Sequence, residues 1–322
     1  MNLLGCELGE VLDRPGFGHR AAPVGDRIGG ARIGAGVYEA ETRRPIWPYH
    51  YHYGSEEWLY VLSGGPVLRD PSGERALSAG DVVCFPASHL GAHTISGPGR
   101  FVVFSADACP GPHVSVYPDS DKLSVWPGPD EFDGLNALRL PRRAALDYWD
   151  GEGDGPLAPA EVVREPAASS LPAVNALATS VTAPSTDAPA GCLRRAVTLG
   201  PEVGARLLAV TVLELDPGEA AAPYHHVYGR ERWLLVLGGE PMLRHADGED
   251  RLQPADVVCL PDGPAGAHQL LNHSAHVVRT LLLSTTGVPA NTYYPDTNTW
   301  QLHNTPGEPL TLEGSDANGS NP

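Results

Sequence analysis

Four residues in the first third of the chain have the types and spacing to hold a cation. His50 and His52 lie two apart in Pro48-Tyr49-His50-Tyr51-His52-Tyr53, so in an extended segment both imidazoles project to one face. Glu57 follows the tight-turn sequence Tyr53-Gly54-Ser55, which can return a carboxylate to the same point. His93 comes later, after Gly91. Three imidazoles and a carboxylate form a mixed nitrogen–oxygen set suited to Fe(II), Mn(II), Ni(II), Co(II), Cu(II) or Zn(II). Three or four protein ligands leave coordination positions open, which is a catalytic layout and not a closed structural one. Glu57 is also a candidate catalytic base. His89, in the loop before His93, is a candidate acid–base group at the pocket mouth.

The elements that must position these residues occur twice. Pro48-Tyr49-His50 recurs as Pro223-Tyr224-His225, and Trp58-Leu59-Tyr60-Val61-Leu62 as Trp233-Leu234-Leu235-Val236-Leu237. Asp81-Val82-Val83-Cys84 recurs as Asp256-Val257-Val258-Cys259, and Gly91-Ala92-His93 as Gly266-Ala267-His268. Every pair is 175 residues apart, and roughly 29 of 73 positions match when 25–97 is laid on 200–272 without a gap. The chain therefore reads as two copies of one domain. Short segments rich in Trp, Leu and Val (57–63, 81–86, 91–95, 101–105, 232–237 and 277–283) read as strands. Turn signals at Gly64-Gly65, Pro71-Ser72-Gly73, Gly238-Gly239 and Asp247-Gly248 separate them, which indicates an all-β sandwich or barrel. Domains are expected over 1–128 and 169–304, with a linker over 129–168 and a disordered tail over 305–322. Within the linker, 135–149 is expected to form one or two short helices broken by Pro141.

These repeats carry a resemblance. The His50-x-His52 pair, Glu57 and Gly64 resemble the first cupin motif. Gly80-Asp81, Pro86 and His93 resemble the second, with the histidine a little later than in the commonest version. The Gly-Ala-His ending is similar to a widespread bacterial group of cupins with no settled function. The resemblance implies two tandem double-stranded β-helix (jelly-roll) barrels, a bicupin, with His50, His52, Glu57 and His93 as metal ligands. Glu56 is the fallback if the register slips by one, but Glu57 shares its strand face with Leu59 and Val61.

The second copy departs from the pattern. Val227 replaces His52, Arg232 replaces Glu57 and Ala255 replaces Gly80, leaving His225 and His268. A guanidinium at the metal position implies a degenerate site. There Arg232 would either make a salt bridge in place of the metal or bind an anion. A vestigial metal site recruiting His226 or Glu231 is the alternative. Cys84 and Cys259 read as buried core thiols. Trp47, Tyr49, Tyr51 and Tyr53 have the parity to point away from the two histidines. Arg69 and Arg244, which recur together, read as structural pairing, with substrate binding as the alternative.

The formal net charge of −17 disfavours nucleic acid and anionic membrane surfaces as partners. No apolar run reaches the ~18 residues of a membrane span. Leu3-Leu4-Gly5-Cys6 lies too near Met1 to be a lipoprotein cleavage box. Five cysteines do not form a disulfide framework, so a cytoplasmic protein with reduced thiols is expected. The expected partner is a small-molecule substrate, and packing as a homodimer fits duplicated barrels. The leading functional expectation is an Fe(II) dioxygenase working on a small enol, phenol or hydroxy acid in the first barrel. Its lumen would be lined by Leu59, Val61, Val83 and Phe85. A non-oxidative metal-dependent isomerase, lyase or decarboxylase is the second reading. A metal- or ligand-binding accessory protein without turnover is the third.

Overall fold

The structure is a computed structural model. It describes residues 1–108, 112–126, 137–144, 169–182, 192, 194–200, 203–287, 289–303 and 310–313. Its architecture is all-β. In the first half, one antiparallel sheet orders Ile33–Ala40, Gly99–Asp107, Ser55–Gly64 and Asp81–Phe85. A facing sheet orders Gly73–Ala76, Val67–Asp70 and Thr94–Ser96. Bridges Pro45↔Ser96 and His50↔His93 continue it toward Tyr51–Tyr53. Consecutive segments thus pass back and forth between two sheets, which is the jelly-roll order. The second half repeats it with Leu208–Leu215, Val278–Thr285, Arg232–Gly238 and Val257–Leu260 in one sheet. Gly248–Arg251, Met242–His245 and His268–Leu271 form the other, extended by the bridge His225↔His268.

Strand alternation decides which side chains line a lumen and which join the barrels. Along Ser55–Gly64, Leu59 and Val61 enter the first lumen with Val83, Phe85, Phe101 and Val103. Their neighbours Trp58 and Tyr60 face the opposite way, into a cluster shared with Trp233, Leu235, Val257 and Leu283 of the second barrel. The second lumen holds Leu234, Val236, Leu243, Leu260 and Leu270. Both faces of the central strands are therefore buried, which is why Trp58–Leu62 and its repeat are almost unbroken apolar runs. Phe104 and Trp233 meet edge to face across the junction, ring centroids 6.1 Å apart.

Several segments depart from the sequence expectations. The expected strand 91–95 is a 3-10 turn, His89–Gly91, followed by Thr94–Ser96. The turn requires glycine, because a Cβ on Gly91 would lie 2.2 Å from the Pro86 carbonyl oxygen. Of the expected helices over 135–149, the described part is a strand, Leu138–Pro141, and a 3-10 turn, Arg142–Ala144. The strand forms because Lys122–Trp126 offers it an unpaired edge. The rest of the expected linker lies outside the described residues. In the expected tail, Leu310–Glu313 pairs with Thr299–His303, and the flanking residues lie outside the description.

The barrels also exchange segments. Ala173–Asn175 extends the first barrel's sheet beside Asp81–Phe85. Leu3 N donates to the Ala255 carbonyl of the second barrel (2.8 Å). Cys84 is fully buried, Cys259 partly so, and Cys6 and Cys192 are also free; Cys109 is not described. Among the described residues, no helix is long and apolar enough to cross a membrane.

Candidate metal centre

His50 sits one residue before the strand Tyr51–Tyr53, and its backbone is bridged to His93 by reciprocal hydrogen bonds (3.0 and 2.8 Å). That bridge brings two distant histidines together, with ring centroids 4.8 Å apart. His52 follows within the strand, and Glu57 enters from Ser55–Gly64. Ligand atoms of His50, His52 and Glu57 lie within 4.8 Å of one another. Glu57 Oε2 is 3.2 Å from His52 Nε2 and 3.5 Å from His93 Nε2.

The outer ring nitrogens are held in place. His50 Nδ1 lies 2.9 Å from the Pro48 carbonyl, and His93 Nδ1 2.9 Å from the Gly91 carbonyl. A carbonyl can only accept, so both Nδ1 atoms carry the proton and both Nε2 lone pairs are free to bind a cation. His52 Nδ1 meets Ser115 Oγ at 3.0 Å, and that oxygen also accepts from Trp126 Nε1 at 3.0 Å. The inward atoms His52 Nε2, Glu57 Oε2 and His93 Nε2 are buried without a well-formed hydrogen bond. Buried polar atoms left in this state are costly, and a shared divalent cation satisfies all of them together. The residues present fit a metal ion.

Charge in the cluster is arranged accordingly. Burial, reinforced by His52 and His93, holds His50 well below the ordinary imidazole value. Burial pushes His93 down to about 4. Burial also opposes the charge on His52, but the facing Glu57 carboxylate outweighs it and raises that imidazole. Burial likewise pushes the Glu57 carboxyl up, and His52, His93 and His50 together reverse this and hold it well below the carboxylate range. Solvent reaches the cluster on one side only: the side chains of His52 and Glu57 are 15% and 16% exposed, while that of His93 is 0%.

The remaining sequence candidates fall elsewhere. Among the described residues no hydrogen bond, ion pair or ring contact joins His89 to the cluster; it serves as the first residue of the turn that sets His93. Glu56, the fallback ligand, points out of the barrel. It accepts from Trp58 Nε1 (2.9 Å) and from the backbone N–H groups of Arg206, Leu207 and Leu208 (2.6, 3.1 and 3.1 Å). Tyr51 packs away from the lumen with Ala92 and Val116, but Trp47 does not. The Trp47 indole lies edge-on to His50 and His93 (5.9 and 6.1 Å), because the chain before His50 is not yet a regular strand and parity does not govern it. Its buried Nε1 has no hydrogen-bond partner among the described residues. The Phe85 ring stacks on His93 at 3.6 Å. Ser115 and Trp126 carry no motif, and only the pairing of His113–Tyr117 with Tyr51–Tyr53 brings them to His52.

In the second barrel His225 and His268 keep the same backbone bridge and the same carbonyl partners, Pro223 and Gly266. Arg232 occupies the Glu57 position and approaches His225 Nε2 at 3.2 Å. His226 packs instead among Tyr228 and Tyr293 (5.1 and 5.4 Å), and Glu231 points out of the barrel. The two residues that a vestigial metal site would need are thus directed away from it. Arg69 and Arg244 each form a fork with an aspartate, Asp119 and Asp296, and each lies 4.2 Å over a tyrosine ring, Tyr49 and Tyr224.

No sequence family and no curated protein matches the chain. Solved structures with detectable likeness include a sugar phosphate isomerase from a cupin superfamily of Silicibacter pomeroyi. It is 22% identical, covering 38% of this chain and 81% of that one, with TM-score 0.36. Lactobacillus farciminis oxalate decarboxylase is 11% identical over 89% of this chain and 86% of that one, with TM-score 0.47. A variant of Bacillus subtilis oxalate decarboxylase is 12% identical over 90% and 78%, also with TM-score 0.47. The chain's own strand order establishes its fold: two tandem jelly-roll barrels of the double-stranded β-helix kind, the first with four converging side chains of metal-ligating type.

Proposed function

We propose that the first barrel is a divalent-metal enzyme for a small enol, phenol or hydroxy acid, with Fe(II) and O₂ as the leading metal and co-substrate. The observation that carries the reading is the convergence of buried, unsatisfied His52 Nε2, His93 Nε2 and Glu57 Oε2 beside His50. His50, His52, His93 and Glu57 would hold the cation. Bound there, it would supply Lewis acidity and open positions for a bidentate substrate together with O₂.

The chain's own groups supply the rest. Glu57 is one of the candidate ligands nearest solvent, and swung off the cation its carboxylate would take a proton from a substrate hydroxyl. Ser115 fixes the orientation of His52. Trp47 brings an indole N–H, without a partner among the described residues, to the histidine side of the lumen. Leu59, Val61, Val83 and Phe85 exclude water from the floor.

The same three-nitrogen, one-oxygen set also suits redox-inert ions, which supports a second reading as a non-oxidative isomerase, lyase or decarboxylase. Metal analysis of anaerobically purified protein, followed by O₂-uptake screening with small diols, enols and phenols, tests both. One transition metal per chain, lost in His50→Ala, is expected, with O₂ consumed on turnover. Turnover that persists without O₂ removes the dioxygenase reading. Protein without stoichiometric metal, whose ligand binding is unchanged by His50→Ala, removes both enzyme readings and leaves an accessory binding protein.

A further inference from the structure

The second barrel has lost its carboxylate ligand and gained a cation in the same place. Arg232 shares its strand face with Leu234 and Val236, so its side chain enters the lumen as Glu57 does in the first barrel. A salt bridge in place of the metal is the simplest outcome for a guanidinium there, but none is formed. Among the described residues no carboxylate pairs with Arg232, and its hydrogen bond goes to a neutral acceptor, His225 Nε2. Elsewhere in the same barrel Arg195, Arg244 and Arg279 are all paired with Asp or Glu. The chain has 39 acidic residues against 22 basic ones, so an unpaired arginine in a lumen is not explained by a shortage of acids.

A second cation adds to the first. The charge of Arg194 acts on Arg232, His225 and Tyr294 together, and Arg194 hydrogen-bonds only the Ala221 carbonyl (3.0 Å) among the described residues. Among the described residues neither cation has a carboxylate partner, so Arg232 carries an uncompensated charge into a largely apolar lumen, and exposed Arg194 adds positive potential at its edge. His225 and His268 do not relieve this: carbonyls hold their Nδ1 protons, and burial keeps both rings neutral. Arg232 is partly buried, with part of its side chain still open to solvent. Beneath it the lumen is apolar, lined by Leu234, Val236, Leu243, Leu260 and Leu270.

We propose that the second barrel binds a small organic carboxylate with an apolar body, its carboxylate gripped by the Arg232 fork with Arg194 beside it. A guanidinium fork matches a carboxylate in two parallel hydrogen bonds, and the leucine-lined floor takes the hydrocarbon part. The site is independent of the metal centre in the first barrel.

The test is calorimetric titration of benzoate into the full chain carrying His50→Ala and stripped of metal by EDTA, so that no cation in the first barrel can hold the anion. One benzoate per chain is expected, weakened about ten- to hundredfold by Arg232→Met, with Arg232→Lys falling between the two. Arg194→Gln should weaken it by about threefold to tenfold. Benzoate should also protect Arg232 from phenylglyoxal, read by peptide mass spectrometry, a measurement that needs no variant at Arg232. The proposal is overturned by absence of benzoate binding up to about 10 mM. It is equally overturned by unchanged affinity in a folded Arg232→Met protein, by an unprotected Arg232, or by inorganic phosphate binding more tightly than benzoate.

Discussion

Glu56 of the first barrel and Glu231 of the second clasp each other's barrels by the same set of hydrogen bonds. Glu56 accepts from the backbone N–H groups of Arg206, Leu207 and Leu208, and Glu231 from those of Ala31, Arg32 and Ile33 (2.8–2.9 Å). Each carboxylate also accepts from the tryptophan two residues on, Trp58 or Trp233, at 2.9 Å. Both glutamates are almost fully buried, at 1% and 2% exposure. Each immediately precedes the residue that enters its own lumen, Glu57 or Arg232, so adjacent side chains on one strand serve the interface and the site.

The clasp predicts a large stability cost on truncation. Glu231→Ala leaves three backbone N–H groups and the Trp233 indole N–H without their acceptor, a loss of about 3 kcal/mol or more. Scanning calorimetry should show the melting transition lowered, and an unchanged transition would remove the clasp as a stabilising contact.

Metal affinity should depend on Ser115, which is not one of the candidate ligands. Ser115→Ala releases the His52 ring and should lower affinity about tenfold while leaving stoichiometry at saturation intact. Competition with a fluorescent chelator reads this directly, and equal affinity would show that Ser115 does not orient His52.

Restoring the ligands should restore a second site. Val227→His with Arg232→Glu rebuilds the first barrel's set around His225 and His268, which already hold the right backbone bridge. Elemental analysis is expected to move toward two metals per chain. A value still at one would show that these two changes did not silence the site.

Ala255 carries a conformational cost that its counterpart avoids. It holds φ +69° where Gly80 holds φ +91°, in a region that a Cβ disfavours by about 1–2 kcal/mol. Ala255→Gly gives back part of that as unfolded-state entropy and should stabilise the chain by about 0.5–1 kcal/mol. Urea denaturation with no gain, or a loss, would contradict the strain.

The second barrel should weaken the fold in acid. Burial, helped by Arg232, pushes His225 from 6.5 to about 3. Below pH 6.5 the unfolded chain takes up a proton that the folded chain refuses until about pH 3. Stability is therefore present above pH 6.5 and falls as pH drops from there toward 3. His225→Phe should flatten this limb in urea midpoints measured against pH, and an unaltered slope would remove His225 as its source.

The sequence by itself determined the duplication, the all-β class and the candidate ligand set. These are local or periodic properties: a repeat at a constant offset, alternation along strands, and histidines two apart. It also showed which half had lost its ligands, because Val227 and Arg232 stand at matched positions. Tertiary structure decided what depends on residues far apart in the chain. The strand parity that puts Glu57 in the lumen leaves Glu56 outside it, but only the second barrel supplies the three N–H groups that give Glu56 a purpose. Ser115 reaches His52 through strand pairing 63 residues away, and Trp126 through Ser115, with no motif to mark either. Trp47 turns toward the histidines because it lies before the regular strand, where alternation does not apply. Whether Arg232 was neutralised was likewise undecidable from sequence, since any of 39 acids might have met it; the folded lumen brings none of the described ones within reach.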